Sequence, residues 1–432
     1  MNKLKKQLLI LSLALNSTLV GCGVSKEPTG TGITTEIDRV DDFGNTEETY
    51  DPRPASIPST YYNKDINETT TIGDLNSLRS LEILPSDSSS VFWLSNCKNL
   101  RNIDIDLSKC SYDEWNQICY DLEKIDFSEF EKLETAYIYT YLDGSANTFN
   151  EENFGFLRRI PNLKSITIIT NWIDSSFIET FNNLEELQIY SSCANLNIDY
   201  SKLPNLKRLD LSGYEPYTLA IDLTNSDLEI LDNNGVEVVF RDDNTRSKLL
   251  EINNKLDLII DDIDIKSDDT DIEKLRKLSI YITDNLEYDK DTAMAIGDGE
   301  DVGGDYFYQD GFLYGALEEK SQVCGNYSAL LHALGKRVGL EVYDVSSINH
   351  AWNFVKLDDD YYVVDLTYID YDKSTIELLK TNQIDNLAYY LKTLDQEKET
   401  DLNHLTVDVP EEVIKKNKVY EKKYKTVINN EN

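Results

Sequence analysis

A short hydrophobic pattern recurs along the first half of the chain and restricts its fold more than any other feature. In six copies a leucine is followed by two polar residues, an apolar residue, any residue and a second apolar residue, as in Leu163-x-x-Ile166-x-Ile168, and a seventh keeps only Leu228-x-x-Leu231. The copies begin at Leu78, Leu100, Leu133, Leu163, Leu184, Leu206 and Leu228. Successive copies are 22, 33, 30, 21, 22 and 22 residues apart. A repeat of this length predicts stacked units that each bury one hydrophobic face against the next.

The array resembles the leucine-rich-repeat family, because steps of 21 to 22 residues lie within that family's range. The two longer steps predict insertions at 110–130 and 141–156. The resemblance implies a curved solenoid over residues 71–245, with one short strand per repeat and a face that binds a protein or a glycan. The alternative is that the array is only a rigid spacer.

In the second half of the chain, Cys324 opens a helical pattern. Leucines and a valine follow it at helical spacing, and Gly339 is suited to ending the helix. A thiol at a helix N-terminus faces free backbone N–H groups and the positive end of the helix dipole. Both favour the thiolate, which is the nucleophilic form of cysteine.

His350 and Asp365 lie on two segments that predict the strands of a β-hairpin. A two-residue turn at 358–359 pairs Leu357 with Asp360. Because side chains alternate along a strand, this register puts Asp365 on the same face as His350. Taken alone, a cysteine in an apolar helix or a half-buried histidine more often has a structural role. Together with Cys324, the pattern predicts a Cys-His-Asp site.

Three motifs carry a further resemblance: Val-Cys-x-x-Tyr-Ser, His-Ala-Trp-Asn-x-Val and Val-Asp-x-Thr-Tyr-x-Asp. In this order, over residues 275–371, they resemble the transglutaminase-like superfamily. The resemblance implies a papain-like α+β fold within residues 246–395, in which a helix carries the cysteine and an antiparallel sheet carries the histidine and aspartate. It assigns Cys324 as nucleophile, His350 as base and Asp365 as the orienting carboxylate.

An oxyanion donor is also required in such a site, and the sequence leaves it open. The Cys324 backbone N–H is one candidate. The side-chain candidates are Gln322, Tyr314 and Tyr308. Two departures from the family pattern affect the loop that enters the helix: Ser321-Gln322 stands where a glycine usually precedes Val-Cys, and Asn326 where glycine or aspartate is common.

These residues predict thiol acyl transfer, either by a peptidase or amidase or by a protein cross-linker. The alternative is a non-catalytic adhesin with a degenerate transglutaminase-like scaffold. No cofactor and no metal are expected, because the acidic glycine-rich stretch at 297–305 lacks the ligand spacing of an EF-hand. His332 is expected to be ordinary packing or surface, and His404 to be solvated.

The chain begins with a basic segment and a short apolar run, which predict a secretory signal over residues 1–21. Leu19-Val20-Gly21-Cys22 resembles the bacterial lipobox, which implies lipidation of Cys22 and a protein tethered at the extracellular face of a bacterial membrane. Residues 22–70 are polar and read as a flexible spacer. The charged segment 396–432 is either a closing helix or a basic arm.

The net charge of −37 argues against a nucleic-acid partner, which requires a basic surface. The expected partner is a protein or peptide substrate, with a cell-wall peptide among the candidates. Four further cysteines lie in the repeat array: Cys97, Cys110, Cys119 and Cys193. Their spacings show no metal pattern, and at most one disulfide is expected near 97–119.

Overall fold

The fold combines a parallel sheet with an antiparallel sheet. The computed structural model describes residues 80–83, 94–95, 97–107, 110–140, 148–170, 172–191, 196–297, 311–318, 322–347, 350–371, 373–383 and 390–392. The described strands form a seven-stranded parallel sheet, a four-stranded antiparallel sheet and a two-stranded parallel pair. The architecture is therefore mixed α/β, and the predicted leucine-rich-repeat solenoid stays a prediction.

The parallel sheet follows the order of the repeats along the chain. Its strands are β1 (Ser80–Ile83), β2 (Asn102–Asp106), β3 (Thr135–Tyr139), β5 (Ser165–Thr170), β7 (Glu186–Ser191), β8 (Arg208–Asp210) and β9 (Glu237–Val239). The small pair is β4 (Thr148–Phe149) with β6 (Trp172–Ile173). Buried apolar residues at the same register position line up across the sheet: Ile103, Ala136, Ile166, Leu187 and Leu209. Each fully buried leucine or isoleucine contributes roughly 1.5–3 kcal/mol, so the repeat pattern itself supplies the core of the array.

The seventh copy of the pattern does not form a strand. Leu228 and Leu231 are buried on a helix, and the strand that pairs with β8 is β9, further along the chain. A Leu-x-x-Leu spacing fits one face of a helix as well as a repeat. Thr224 caps this helix, since its hydroxyl accepts the Asp227 N–H at 3.2 Å. The prediction of a repeat strand at Leu228 was therefore wrong.

The helices connect the strands and cover the antiparallel sheet. They are α1 (Tyr112–Glu123), α2 (Glu151–Phe154), α3 (Ser175–Ile178), α4 (Pro216–Asp222), α5 (Asn225–Asn233), α6 (Thr245–Asp262), α7 (Asp271–Asn285), α8 (Lys290–Gly297), α9 (Gly311–Glu318), α10 (Cys324–Arg337), α11 (Leu366–Tyr371) and α12 (Lys373–Lys380). The predicted cysteine helix is α10. It ends as expected before Gly339, which has a φ of +78° that favours glycine.

The antiparallel sheet consists of β10 (Glu341–Ser347), β11 (His350–Leu357), β12 (Asp360–Val364) and β13 (Tyr390–Lys392), in that order. The predicted hairpin is β11 with β12, and its register pairs Leu357 with Asp360 as expected. The turn lies at 358–359, where Asp358 has a φ of +57°. Sequence reasoning did not identify β10, which pairs with residues 350–356 of β11 and places Asp344 opposite Asn353.

The repeat array and the C-terminal region share one continuous hydrophobic core. Helix α4, which follows the last aligned repeats, contacts α6, α9 and α10. On another face of the antiparallel sheet, Trp172 of β6 is buried in a cluster with Trp352 and Phe354. The predicted boundary between the array and the C-terminal region, near residue 245, stays a prediction. The two regions pack extensively against each other.

Several predicted features lie outside the described residues: the signal segment, Cys22, the spacer, Cys193, the acidic loop from 298 and the segment 396–432. Cys97, Cys110 and Cys119 are buried and form no disulfide with one another, where at most one was expected near 97–119. Within the described part of the chain, every helix falls short of the length and apolarity that a membrane span requires.

Candidate active site

Cys324 is the first residue of α10, and the local sequence explains why the helix begins there. Val323 has an extended backbone (φ −115°, ψ 177°) and precedes the first turn. The Asn326 side chain accepts the Val323 N–H at 2.7 Å and donates to the Phe312 carbonyl at 2.8 Å. Asn326 therefore fixes the entry to the helix against α9. Cys324 is 5% exposed and lies at the positive end of the helix dipole.

His350 and Asp365 meet, as the hairpin register predicts. His350 Nε2 donates to Asp365 Oδ2 at 2.5 Å. The other carboxylate oxygen, Oδ1, accepts the backbone N–H groups of Thr367 at 3.0 Å and Tyr368 at 3.3 Å. His350 is 1% exposed and Asp365 is 0% exposed. A carboxylate can be buried to this extent because these hydrogen bonds satisfy it.

The thiol lies beside the start of the histidine strand. Cys324 packs against Ala351, the residue that follows His350. A hydrogen bond between Cys324 and His350 is one of the causes that raise the pKa of the imidazole. The structure thus brings together residues from three separate motifs, and their catalytic role stays a prediction.

The pKa of His350 lies well above its ordinary value. Burial lowers it, but the charge and hydrogen bond of Asp365 raise it by more, and the hydrogen bond and charge of Cys324 raise it further. The imidazole therefore favours its protonated form, and an imidazolium next to sulfur stabilises a thiolate. This arrangement can take a proton from the thiol and later give it to a leaving group.

Two aromatic rings hold the imidazole, and sequence reasoning singled out neither. Trp352 stacks on His350 with centroids 5.8 Å apart and planes at 19°, and Tyr368 meets it edge-on at 5.1 Å. Trp352 lies two residues after His350 on one strand, so alternation alone places both on the same face. The two-residue spacing could therefore have identified Trp352 as a neighbour of the imidazole. The rings restrict the imidazole to one orientation.

A second buried carboxylate, Asp370, ties the segment before the site to α10. It accepts the Tyr327 hydroxyl at 2.6 Å and the Tyr288 N–H at 3.2 Å. Burial raises the pKa of Tyr288, and the charges of Cys324 and Asp365 raise it further, so its phenol lies near the site. Sequence reasoning missed Tyr288 because it is on a separate segment of chain.

The three side-chain candidates for the oxyanion donor have different surroundings. Gln322 is buried, and its amide donates to a carbonyl of α9 at 2.9 Å. Tyr314 packs edge-on against Tyr217 of α4, with ring centroids 5.1 Å apart. Tyr308 lies outside the described residues. The Cys324 N–H is at the helix start, and the identity of the donor stays a prediction.

His332 differs from the expectation of ordinary packing or surface. It is 2% exposed and lies between two carboxylates, Asp222 and Asp344, each 3.0 Å from one ring nitrogen. Burial lowers the pKa of His332, but the two carboxylates raise it to about 10. His332 is therefore a buried cation on the same helix as Cys324.

The described residues contain no group of three or more His, Cys, Asp or Glu side chains arranged to hold a metal ion. Neither the family models nor the curated proteins include a match to this chain. Among solved structures, the chain is similar to a crystal structure of a transglutaminase (TGase). The similarity has 17% sequence identity and a TM-score of 0.27, and it covers 33% of this chain and 37% of that chain. The chain therefore spans only about a third of the length of the solved structure that it matches.

Proposed function

We propose that this protein is a thiol acyl-transfer enzyme of the transglutaminase-like kind. Cys324 is the nucleophile, His350 the general acid and base, and Asp365 the residue that orients the imidazole. The observation that carries the proposal is the buried 2.5 Å hydrogen bond from His350 to Asp365, beside a thiol at a helix N-terminus. A carboxylate bound to one ring nitrogen fixes the tautomer and orientation of a histidine.

In the proposed reaction, Cys324 gives its proton to His350 and attacks the carbonyl carbon of a carboxamide or peptide as a thiolate. The tetrahedral intermediate collapses when its C–N bond breaks and the imidazolium gives the proton to the leaving amine. A thioester on Cys324 and a free amine result. Asp365 stays ionised and stabilises the imidazolium.

Water or an amine then discharges the thioester. His350 takes a proton from the acceptor, a C–O or C–N bond forms, the C–S bond breaks, and the proton returns to sulfur. With p-nitrophenyl acetate as acyl donor, added butylamine should speed the release of p-nitrophenol and yield N-butylacetamide if the enzyme is a cross-linker. A peptidase or amidase should give acetate at an unchanged rate. Product analysis by mass spectrometry distinguishes the two.

We also propose that residues 71–245 are leucine-rich repeats that recognise a protein partner. The parallel register supports this role, because it aligns one strand per repeat across the sheet. The sheet face opposite the core carries half-buried aromatic side chains, which suit protein contacts. They are Tyr137, Tyr139 and Tyr190.

The substrate is proposed to be a protein or peptide met outside the cell, with a cell-wall peptide among the candidates. The sequence Leu19-Val20-Gly21-Cys22 supports a lipid tether through Cys22 to the extracellular face of a bacterial membrane. The net charge of −37 supports the expectation that nucleic acid is not a partner.

The alternative function is a non-catalytic adhesin built on the same scaffold. One observation favours it: Cys324 and His350 are only 5% and 1% exposed, whereas a substrate carbonyl must reach the sulfur. Measuring the reactivity of the thiol tests both functions.

Iodoacetamide is expected to alkylate Cys324 at neutral pH at least ~100-fold faster than the buried thiols of the array. Burial raises the pKa of Cys97 to about 11 and, with nearby carboxylates, the pKa of Cys110 to about 12. It also raises the pKa of Cys119. These three thiols therefore hold almost no thiolate at pH 7. Mass spectrometry of the peptides gives each rate in the intact protein.

His350→Gln is the matched control for access, because it leaves Cys324 similarly covered but removes the proton acceptor. Alkylation of Cys324 should fall about 10-fold or more in this variant. Equal rates at Cys324 and the array thiols, or a His350→Gln variant that reacts like the wild type, would support the adhesin instead.

A further inference from the structure

We infer that the repeat array is a structural part of the active site, and that His332 is the positioning residue through which it acts. The inference rests on the proposed roles of Cys324 and His350, but it concerns residues that the reaction itself does not use. The His332 clamp is defined as His332 with its two carboxylates, Asp222 and Asp344.

The clamp joins the array to the antiparallel sheet through one buried ring. Asp222 is the last residue of α4, and its Oδ2 accepts the Leu196 N–H at 2.8 Å while Oδ1 is 3.0 Å from His332 Nε2. On the other side, His332 Nδ1 is 3.0 Å from Asp344 Oδ2. The Nδ1 contact with Asp344 is a hydrogen bond, whereas the Nε2 contact with Asp222 is an ion pair. An imidazolium attracts both carboxylates, so the link to Asp222 depends on the charge of His332.

From Asp344 the contacts continue to both elements of the reacting pair. Asp344 Oδ1 accepts the Ser328 hydroxyl at 2.8 Å and the Asn353 amide at 3.0 Å. Ser328 lies one turn after Cys324 on α10, and Asn353 lies three residues after His350 on β11. Asp344 therefore fixes the helix that carries the sulfur against the strand that carries the imidazole.

The last turns of α10 are anchored to the array as well. Arg337 donates to the Ala220 carbonyl of α4 at 3.2 Å, and Lys336 hydrogen-bonds to the Asn197 side chain. Because α10 is a continuous helix, contacts along its C-terminal half orient its N-terminus, where Cys324 begins it.

A separate contact joins the array to the His350 strand. Trp172 of β6 is 1% exposed and belongs to the same buried cluster as Trp352. Trp352 in turn stacks on the His350 ring. The array thus supports both members of the sulfur–imidazole pair, the helix through the His332 clamp and the strand through Trp172.

The test uses the full chain and the pH profile of Cys324 alkylation by iodoacetamide, which requires no turnover. Positioning predicts that Asp222→Asn slows alkylation at pH 7 about 10-fold and moves the profile midpoint up by about one pH unit. A purely electrostatic role predicts faster alkylation, because removing a negative charge favours a thiolate. The two explanations therefore predict opposite changes in the rate of Cys324 alkylation.

A charge-matched variant sharpens the comparison. His332→Gln combined with Asp222→Asn removes one cation and one carboxylate together, so the net charge of the clamp is unchanged. We expect the double variant to react as slowly as Asp222→Asn, and recovery of the wild-type profile would overturn the positioning role. Asp232→Asn makes the same chemical change at an exposed carboxylate of the array, which pairs with Arg246, and it should keep the wild-type profile. An equal slowing in Asp232→Asn would overturn the assignment to His332.

Thermal unfolding followed by circular dichroism shows whether each variant is folded. If Asp222→Asn does not fold, Ser328→Ala replaces it, because this change removes one of the two links from Asp344 to α10 and keeps the other, through His332, without adding a charge. It should also slow alkylation, by about 5-fold. Acylation by p-nitrophenyl acetate tests the proposed function separately. A wild type that is not acylated but shows clamp-dependent alkylation refutes only the enzyme, whereas unchanged profiles in folded variants refute only the clamp.

Discussion

Asp365→Asn is expected to slow the acylation of Cys324 by p-nitrophenyl acetate on the order of 10³-fold. The new amide oxygen can still accept the N–H groups of Thr367 and Tyr368, which leaves the amide NH₂ facing His350 Nε2. Two N–H groups cannot pair, so the ring adopts the tautomer with its proton on Nδ1. That nitrogen can then no longer accept the proton of the thiol. The initial burst of p-nitrophenol measures the effect.

The same substitution at an exposed position of the hairpin provides the control. Asp359→Asn makes an identical chemical change in the turn, where the side chain is exposed, and its burst should match the wild type within about twofold. The free energy of unfolding of Asp365→Asn should fall by only about 1–2 kcal/mol, since most of its hydrogen bonds persist. A folded Asp365→Asn variant that is acylated at the wild-type rate would show that Asp365 does not orient the base.

The hairpin and its register could be predicted because both depend on local information. Two apolar segments flank a run of three aspartates, and the two-residue turn expected there fixes which residues pair, whereas a three-residue turn would put Asp365 on the other face. His350 and Asp365 follow from that register alone. The start of α10 at Cys324 and its end before Gly339 were likewise visible in a short window.

The His332 clamp could not be predicted, because its parts come from three elements that are far apart along the chain. Helix spacing identified His332 as a residue of α10 but carried no information about Asp222 on α4 or Asp344 on β10. The strand β10 itself was missed, although it supplies the partner that fixes Asn353. Hydrophobic periodicity shows which face of an element is buried, and it does not show which distant element covers that face.

Titration of His332 alone is expected to lower the stability of the protein by on the order of 3 kcal/mol between pH 7 and pH 9.5. A histidine in the unfolded chain has a pKa of about 6.5. In the fold, burial lowers the pKa of His332, but Asp222 and Asp344 raise it to about 10. Because the folded pKa is the higher, the stabilisation is fully present below pH 6.5 and is lost as the pH rises through 10. Arg337 is another cation that faces Asp222, and burial lowers its pKa to about 10. The measurement stops at pH 9.5 because loss of the Arg337 proton at higher pH would add to the effect of His332.

Urea unfolding of the wild type and of His332→Gln, at steps from pH 7 to pH 9.5, isolates this contribution. The glutamine variant lacks the titrating group, so its free energy of unfolding should be furthest below that of the wild type at pH 7. The two values should approach each other as the pH rises. The net charge of −37 weakens both proteins similarly at high pH, and the comparison removes that effect. A difference that stays constant across the range would mean that folding does not bind a proton at His332, and the two carboxylates would then not be bridged by an imidazolium.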